Sequence, residues 1–463
     1  MANNVVILLS HSILLLGAFL SALVKNYKTS RLISCLSTIL SFFLVLDLSY
    51  RYFNNIETTF LSLVIKNWSL FIIDSYAIVM ALTSTFVGLL ILFYSFDYMS
   101  HFDRQNQYYF YVTLFIASML GLIFSGNLIV MYIFWEITSI CSWQLISFYR
   151  GNLHLAKGNK AFLVTFLGSA LMLLGIAMVY IEHGSFNLVD LKGKQISDIL
   201  AFFLIVGMIA KSAQLPFHIW LPDAGVAPTP VTALLHAAVL VKIGVYTFGR
   251  IFDFTFKILP EFQQFEIVIS VLTILVAGFM AFTETDIKRI LAYSTISQLG
   301  YIFLGFAVNV KISVIGAIFY IVSHALAKAG LFLSAGIVEH NTNERNIHNL
   351  GGLSNTMPIT SVCFLLCGFS IIGLPIFSGF WGKFFIFKGI IESGRQVTSL
   401  FAMIGSVLTL LYILRVYNKV FLGKKRFDVR EQSPVMVAVV FILSLFSMCL
   451  GLFPKVVLDL IKI

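Results

Sequence analysis

Charged side chains are scarce in this sequence: Asp, Glu, Lys and Arg make up 11% of its 463 residues, against about 25% in a soluble domain. That scarcity excludes a chain that solvates most of its surface in water. Cysteine is scarce as well. Cys35, Cys141, Cys363, Cys367 and Cys449 all lie in apolar runs and form no CxxC pair. Cys363 and Cys367 share a helix face, but no further thiol or histidine pair is placed to complete a metal site, so no metal is expected. No glycine-rich phosphate loop occurs, and no cofactor is expected. The formal charge of +10 includes no long basic tract, which argues against nucleic acid as a partner. No polar linker is long enough to separate soluble domains.

What the chain has in abundance is apolar sequence: 59% hydrophobic residues and a mean hydropathy of +0.94. Apolar runs close to 20 residues recur from end to end, the length that crosses a bilayer. The first, from Asn4, lacks the basic flank and small-residue cleavage site of a signal peptide and reads as a span. The pattern predicts about fourteen helices, at 4–24, 32–50, 75–95, 108–125, 127–148, 160–181, 197–216, 230–252, 265–284, 288–308, 312–337, 357–391, 397–421 and 434–454. The expected fold is therefore an all-α integral membrane protein, with residues 1–463 forming one membrane unit.

Loop charge predicts its orientation. Lys25, Lys28 and Arg31, then Arg150, Lys157 and Lys160, then Lys419, Lys424, Lys425, Arg426 and Arg430 all follow odd-numbered helices. By the positive-inside rule those loops are cytoplasmic and both termini lie outside. The cell inner membrane is the expected location.

Proline, present only nine times, marks two breaks. Helix 7 runs into Gln214-Leu215-Pro216-Phe217-His218, and helix 12 carries Gly373-Leu374-Pro375 in its middle. Proline removes a helix hydrogen bond and clashes with the preceding turn, which membranes tolerate only where protein or water covers the freed backbone. Two such breaks five helices apart predict an inverted five-helix repeat around an ion path. Its copies are helices 4–8 (residues 108–252) and 9–13 (265–421), preceded by residues 1–107 and followed by helix 14 (434–454).

Inside these spans stand charges that lipid should exclude. Glu136 lies in helix 5, Lys211 before the break of helix 7, Lys242 in helix 8, His324 and Lys328 in helix 11, and Lys383 after the break of helix 12. At a helix centre an acid or lysine costs about 2.5–3.5 kcal/mol on the lower scales. Arg250 and Lys388, near helix ends, can snorkel to water. A static salt bridge can account for one lysine beside Glu136, but not for four buried lysines against one clearly buried acid. Proton relay accounts for them, because a desolvated lysine gives up its proton more readily and a nearby carboxylate restores its hold. Tyr320, His324 and Lys328 step by four residues and share a face. His236 and Lys242, six residues apart, fall on different faces of a regular helix and would serve different halves of a route.

The segment KSAQLPFHIWLPDAGVAPTPVTALLHAAVLVKIGVY (Lys211–Tyr246), with DIKRILAYSTISQLGY, SHALAKAGLFL, GLPIFSGFWGK and the FWE of helix 5, closely resembles the antiporter-like subunits of complex I, energy-converting membrane-bound hydrogenases and Mrp Na⁺/H⁺ antiporters. The resemblance covers residues 70 to 430 or so. It implies that Glu136 and Lys211 form a coupling pair, that Lys242 and the helix 11 histidine relay protons, and that Lys383 opens outward. His218 and His236, within the same motif, are secondary candidates. Partners implied are other membrane subunits, related antiporter-like chains among them. The carried ion is the proton, with Na⁺ left open.

Redox chemistry would reside in those partners, so this chain is expected to be a translocase subunit with no redox site of its own. Lys383 stands where one complex I member has glutamate, and the sequence runs nine residues past helix 14, so no lateral arm is expected. Both features lean toward a hydrogenase or Mrp-like complex. The alternatives are a secondary Na⁺/H⁺ antiporter subunit and a structural membrane subunit without its own ion path.

Overall fold

The computed structural model describes residues 3–54, 64–65 and 68–462. Its helices in chain order begin with α1 (Asn3–Leu23), α2 (Tyr27–Phe53), α3 (Ser75–Tyr98), α4 (Gln105–Phe124), α5 (Leu128–Ile146), α6 (Asn152–His183), the short α7 (Leu188–Leu191), α8 (Asp198–Lys211) and the short α9 (Trp220–Asp223). There follow α10 (Thr229–Ala233), α11 (Leu240–Phe248), α12 (Pro260–Thr283), α13 (Ile287–Ala307), α14 (Lys311–Thr342), α15 (Pro358–Ile372), α16 (Ser378–Glu392), α17 (Gln396–Val420), α18 (Pro434–Leu452) and the short α19 (Lys455–Leu458). Among the described residues the strands form one small antiparallel ribbon, Val64–Ile65 against Trp68–Ser69. Twelve helices among these residues are long and apolar enough to cross a membrane, and the chain is an all-α, multi-pass membrane protein.

Starts and stops follow local chemistry. Side chains of Asp74, Asn127, Ser197, Asp286 and Ser433 each accept a first-turn backbone N–H of α3, α5, α8, α13 and α18. Gly373 stops α15 in a left-handed conformation, φ +89°, that side chains rarely adopt. Helices α6 and α8 approach closely because Gly168 lies where a Cβ would meet that of Ala210 at 2.5 Å. In lipid such close packing, rather than hydrophobic exclusion, joins helices.

The burial pattern is layered. Nearly all of the span Thr229–Asp253 and of α13 is buried in the molecule, whereas the spans of α6, α17 and α18 turn most of their surface outward. Exposed Leu163, Ile181, Val397, Leu400 and Phe446 belong to that outer layer. Their exposure is what a lipid-facing ring requires.

The segment expected as helix 7 stops as a helix at Lys211 and resumes as short turns through Asp223; the one expected as helix 12 is split into α15 and α16. At the first break the Ala210 carbonyl accepts the Trp220 indole N–H at 3.0 Å, and the Leu215 N–H donates to Thr273 Oγ1 at 3.2 Å. At the second, the Gly379 N–H donates to Ser370 Oγ at 3.2 Å. Side chains thus take over the bonds that helix geometry gives up. Pro216 and Pro375 themselves are exposed on the single chain, while Gln214 and Ser378 beside them are buried.

The span expected as a regular helix 8 is not regular. Between α10 and α11 the chain makes a π turn, Leu234–Ala238, closed by the Val239 N–H on the Leu234 carbonyl at 3.0 Å. A second π turn, Gly249–Asp253, ends the span. Each π turn fits an extra residue into the coil and rotates everything after it.

Candidate proton path in the buried spans

Lys211 is the last residue of α8 and is completely buried. Its ammonium leaves its own helix and donates to Ser139 Oγ at 2.7 Å and to the Trp135 carbonyl of α5 at 3.4 Å, with the Trp135 ring 5.4 Å away. Glu136, on the next residue of α5, feels the Lys211 charge but forms no ion pair with it among the described residues. One of its carboxylate oxygens is buried without a hydrogen bond. The Tyr132 hydroxyl, one turn earlier, sits between Ser169 and Glu136.

Lys242 is the third residue of α11 and donates to the Ile321 carbonyl in the middle of α14 at 2.8 Å. The tail of α8 meets α11 beside it, where Ser212 Oγ donates to the Val241 carbonyl at 2.8 Å. On α14, Tyr320, His324 and Lys328 are all fully buried, as their shared stripe predicts. Lys328 donates to Ser294 Oγ at 2.6 Å and to the Leu291 carbonyl at 3.1 Å. From there a chain of polar groups continues. Ser294 Oγ and the Tyr412 hydroxyl share a bond of 2.8 Å, Gln298 Nε2 donates to that hydroxyl at 3.2 Å, and the Tyr320 hydroxyl donates to Gln298 Oε1 at 2.6 Å.

Lys383 closes the sequence. It lies 5.8 Å from the Tyr320 ring and 4.7 Å from that of Tyr301. Its ammonium donates to the carbonyls of Ile371 and Ile372 at 2.9 and 3.3 Å, which end α15. Free carbonyls at a helix C-terminus carry the negative end of the helix dipole, a natural seat for a cation. Beside it a cavity of about 470 Å³ runs along Phe380, Phe384, Phe387 and Ser406 to Lys388 and Glu392.

The two histidines of the path make no protein hydrogen bond. His236 stacks on Phe332 with ring centres 4.4 Å apart, and His324 meets Tyr320 edge-on. Both nitrogens of each are buried and unpartnered. His324 feels the charges of Lys242, Lys328, His236 and Lys383, so it stands among three lysines of the row and the second histidine. His236 and Lys242, expected on different faces, both reach its neighbourhood. The π turn holding His236 supplies the change of phase that a regular helix lacks. His218, in the turn after Pro216, is half-buried with an unpartnered Nδ1 and is not coupled to the lysines of the row.

Arg250 does not snorkel. It is buried, grips the Asp74 carboxylate with two nitrogens and donates to the Tyr246 hydroxyl at 2.7 Å. Lys388 does reach the surface, 3.7 Å from Glu392. A further buried lysine escaped sequence reasoning. Lys288, in the first turn of α13, donates to Glu339 at 2.6 Å and to the Ala227 carbonyl at 3.3 Å. Its place beside Asp286 and Arg289 reads as a helix-end charge cluster. His236 feels it as well as Lys328.

Lys288 is the inner edge of a charged network. Asp223 takes Lys157 and Lys160 at 2.8 Å and Arg289 at 3.0 Å; Arg289 reaches Glu284 at 2.8 Å, and Arg345 reaches Glu339 at 3.2 Å. Burial pushes the Asp223 carboxyl up, but its bonds to Lys157 and Lys160 outweigh that and hold it below the usual range. For Glu284, Arg289 and two backbone N–H groups outweigh burial in the same way.

Residues 125–409 match the family profile described as NADH:quinone oxidoreductase/Mrp antiporter, and residues 67–110 match that of the complex I chain 5 N-terminus. The NADH-quinone oxidoreductase subunit L of Buchnera aphidicola is 38% identical over 369 residues, 76% of this chain and 59% of that protein. The chloroplastic NAD(P)H-quinone oxidoreductase subunit 5 of Adiantum capillus-veneris is 38% identical over 384 residues, 76% of this chain and 51% of that one. The chain thus spans little more than half the length of these relatives. Among solved structures, a chain of the Mrp complex from a Dietzia species superposes with a TM-score of 0.89 at 22% identity, covering 99% of this chain and 96% of its own. A chain of an archaeal membrane-bound sulfane sulfur reductase superposes at 0.90 and 22% identity, covering 98% and 96%. At that identity the two structures speak for the fold alone.

Proposed function

Since the chain belongs to the membrane-subunit family shared by NADH:quinone oxidoreductase and Mrp antiporters, we propose that it is a proton-translocating antiporter-like subunit of a redox-driven membrane complex. The observation that carries this reading is that Lys211, Lys242, Lys328 and Lys383 are all buried, and none forms an ion pair among the described residues. A lysine without a counter-ion in a place without water holds its proton loosely.

In this reading Glu136 governs Lys211, a closed pair retaining the proton and an open one releasing it. Lys242, His324 and Lys328 pass it along the middle of the membrane, and Lys383 delivers it toward the outer face through the adjoining cavity. His236 joins the route from the side of Lys288, and His218 stands apart from it. The two broken segments, with the twelve candidate spans, are read as fourteen spans and an inverted repeat of residues 108–252 and 265–421. Both termini lie on the outer side of a cytoplasmic membrane. Partners are other membrane subunits, including related antiporter-like chains.

The test is Lys211→Ala in the assembled complex, reconstituted in proteoliposomes. Pumping should fall to background while the subunits still copurify. Pumping at the wild-type rate would refute the reading.

A further inference from the structure

Away from the lysine row, two carboxylates stand without any partner. Asp253 is the last residue of the second π turn, and Glu266 lies in the second turn of α12. All four of their carboxylate oxygens are buried, and none accepts a hydrogen bond. Glu266 feels the Asp253 charge. The donors nearby are engaged elsewhere. Arg250, one turn before Asp253, is held by Asp74 and Tyr246. Gln263, one turn before Glu266, donates to the carbonyls of Ala307 and Val308 at 2.8 and 3.2 Å. Tyr76 of α3 is the further titratable group that feels Asp253.

The two acids differ in access. Glu266 is 2% exposed. Asp253 is half-buried and lines a cavity of about 400 Å³ with Asp74, Arg250, Thr255, Lys192 and Lys462. Lys192 and Thr255 belong to the loops on the face that also holds the C-terminal Lys462, whose carbonyl accepts the Ser75 hydroxyl. Asp253 therefore stands between that cavity and Glu266.

Two buried carboxylates without donors, one feeling the other's charge, do not readily ionise together, and an ionised one with no donor and no cation is among the costliest things to bury. A proton removes both problems. We propose that Asp253 and Glu266 form a proton-holding pair that joins the membrane interior to this cavity. The transfer is simple. The Glu266 carboxylic acid gives its proton to the Asp253 carboxylate and takes up another from the membrane interior before Asp253 releases its own to water in the cavity, so the two are never ionised together and nothing else is consumed. No lysine of the row takes part, so the pair stands or falls apart from the role proposed above.

The experiment is infrared difference spectroscopy of the chain in lipid nanodiscs, with whatever subunits copurify, comparing wild type with Glu266→Gln and Asp253→Asn. At neutral pH the wild type should show the carbonyl stretch of a protonated carboxylic acid, downshifted in D₂O and unchanged when choline chloride is replaced by sodium chloride. The band should vanish in Glu266→Gln, and in Asp253→Asn it should persist but exchange with D₂O more slowly. Either variant alone keeps the proposal open to refutation if the other fails to fold. Absence of any wild-type band that Glu266→Gln removes, a band that D₂O does not shift, or one that sodium abolishes would overturn it.

Discussion

The row of four buried lysines and the charged network around Asp223 use the same residue types in opposite ways. In the network every cation has a carboxylate: Lys157, Lys160 and Arg289 share Asp223, Lys288 has Glu339, and Arg345 has Glu339 too. In the row the ammonium groups rest on hydroxyls, carbonyls and aromatic faces. A carboxylate holds a lysine proton in place; a neutral dipole does so only weakly. Pairing therefore builds a fixed scaffold at the face carrying the basic loops, and in the proposed relay its absence leaves the interior able to change charge.

The strongest way to break this comparison is to make a row member permanently charged. Lys242→Arg keeps the cation but cannot release a proton in the working range. Pumping in proteoliposomes should fall by at least about tenfold, a barrier change of about 1.4 kcal/mol or more. Normal pumping would make Lys242 an electrostatic anchor and require the row to be redrawn. A comparable loss is expected from turning a row lysine into a network lysine. Ser294→Asp places a carboxylate where Lys328 now meets a hydroxyl at 2.6 Å, so the complex should assemble and pump poorly. Pumping unaltered by that change would show that pairing does not set proton mobility.

The legibility of the sequence divides along the same line. Lys211, Lys242, Lys328 and Lys383 stand out because each interrupts an apolar run, and the cost of burying a charge needs no structure to be seen. Their partners could not be read. Lys242 bonds a carbonyl 79 residues away and Lys211 a serine 72 residues away, contacts that periodicity within one helix does not encode. Lys288 and Glu266 were hidden because each lies near a helix start, where charges are ordinarily solvated. Helix α12 begins at Pro260, earlier than hydropathy predicts, and this draws Glu266 inside. The π turns left no signature at all, so the phase of His236 relative to Lys242 was beyond any argument from a regular helix.

A smaller effect should follow from opening the network. Lys288→Met removes one partner of Glu339, which keeps Arg345 and the Thr229 hydroxyl. Breaking a buried pair outright costs about 3–5 kcal/mol, and the retained partners should hold the loss below that. Thermal unfolding in detergent measures it, and a variant as stable as wild type would show that the network is not structural support. The smallest effect is that of acid. The carboxyls of Asp223 and Glu284 titrate below their ordinary values of 3.8 and 4.5. Their stabilisation is complete above those values and is lost as pH falls through the lower folded ones. Unfolding midpoints should therefore be flat from neutrality to about pH 5 and fall below pH 4. A decline already under way at pH 6 would assign the acid sensitivity to other groups.

The bond between Lys242 and the Ile321 carbonyl has a consequence for traffic along the row. A hydroxyl can take a proton on one side and give one up on the other, whereas an amide carbonyl in a helix only accepts. Lys211 on Ser139 and Lys328 on Ser294 are connected to conductors. Lys242, facing a carbonyl as Lys383 also does, is docked at an insulator: while that bond lasts, its proton has nowhere to go along it. In the proposed relay the arrangement is a circuit with its contacts open at Lys242 and at Lys383. An event that swings the Lys242 ammonium away from Ile321 would close the middle contact, and until then the relay would hold its charge without leaking.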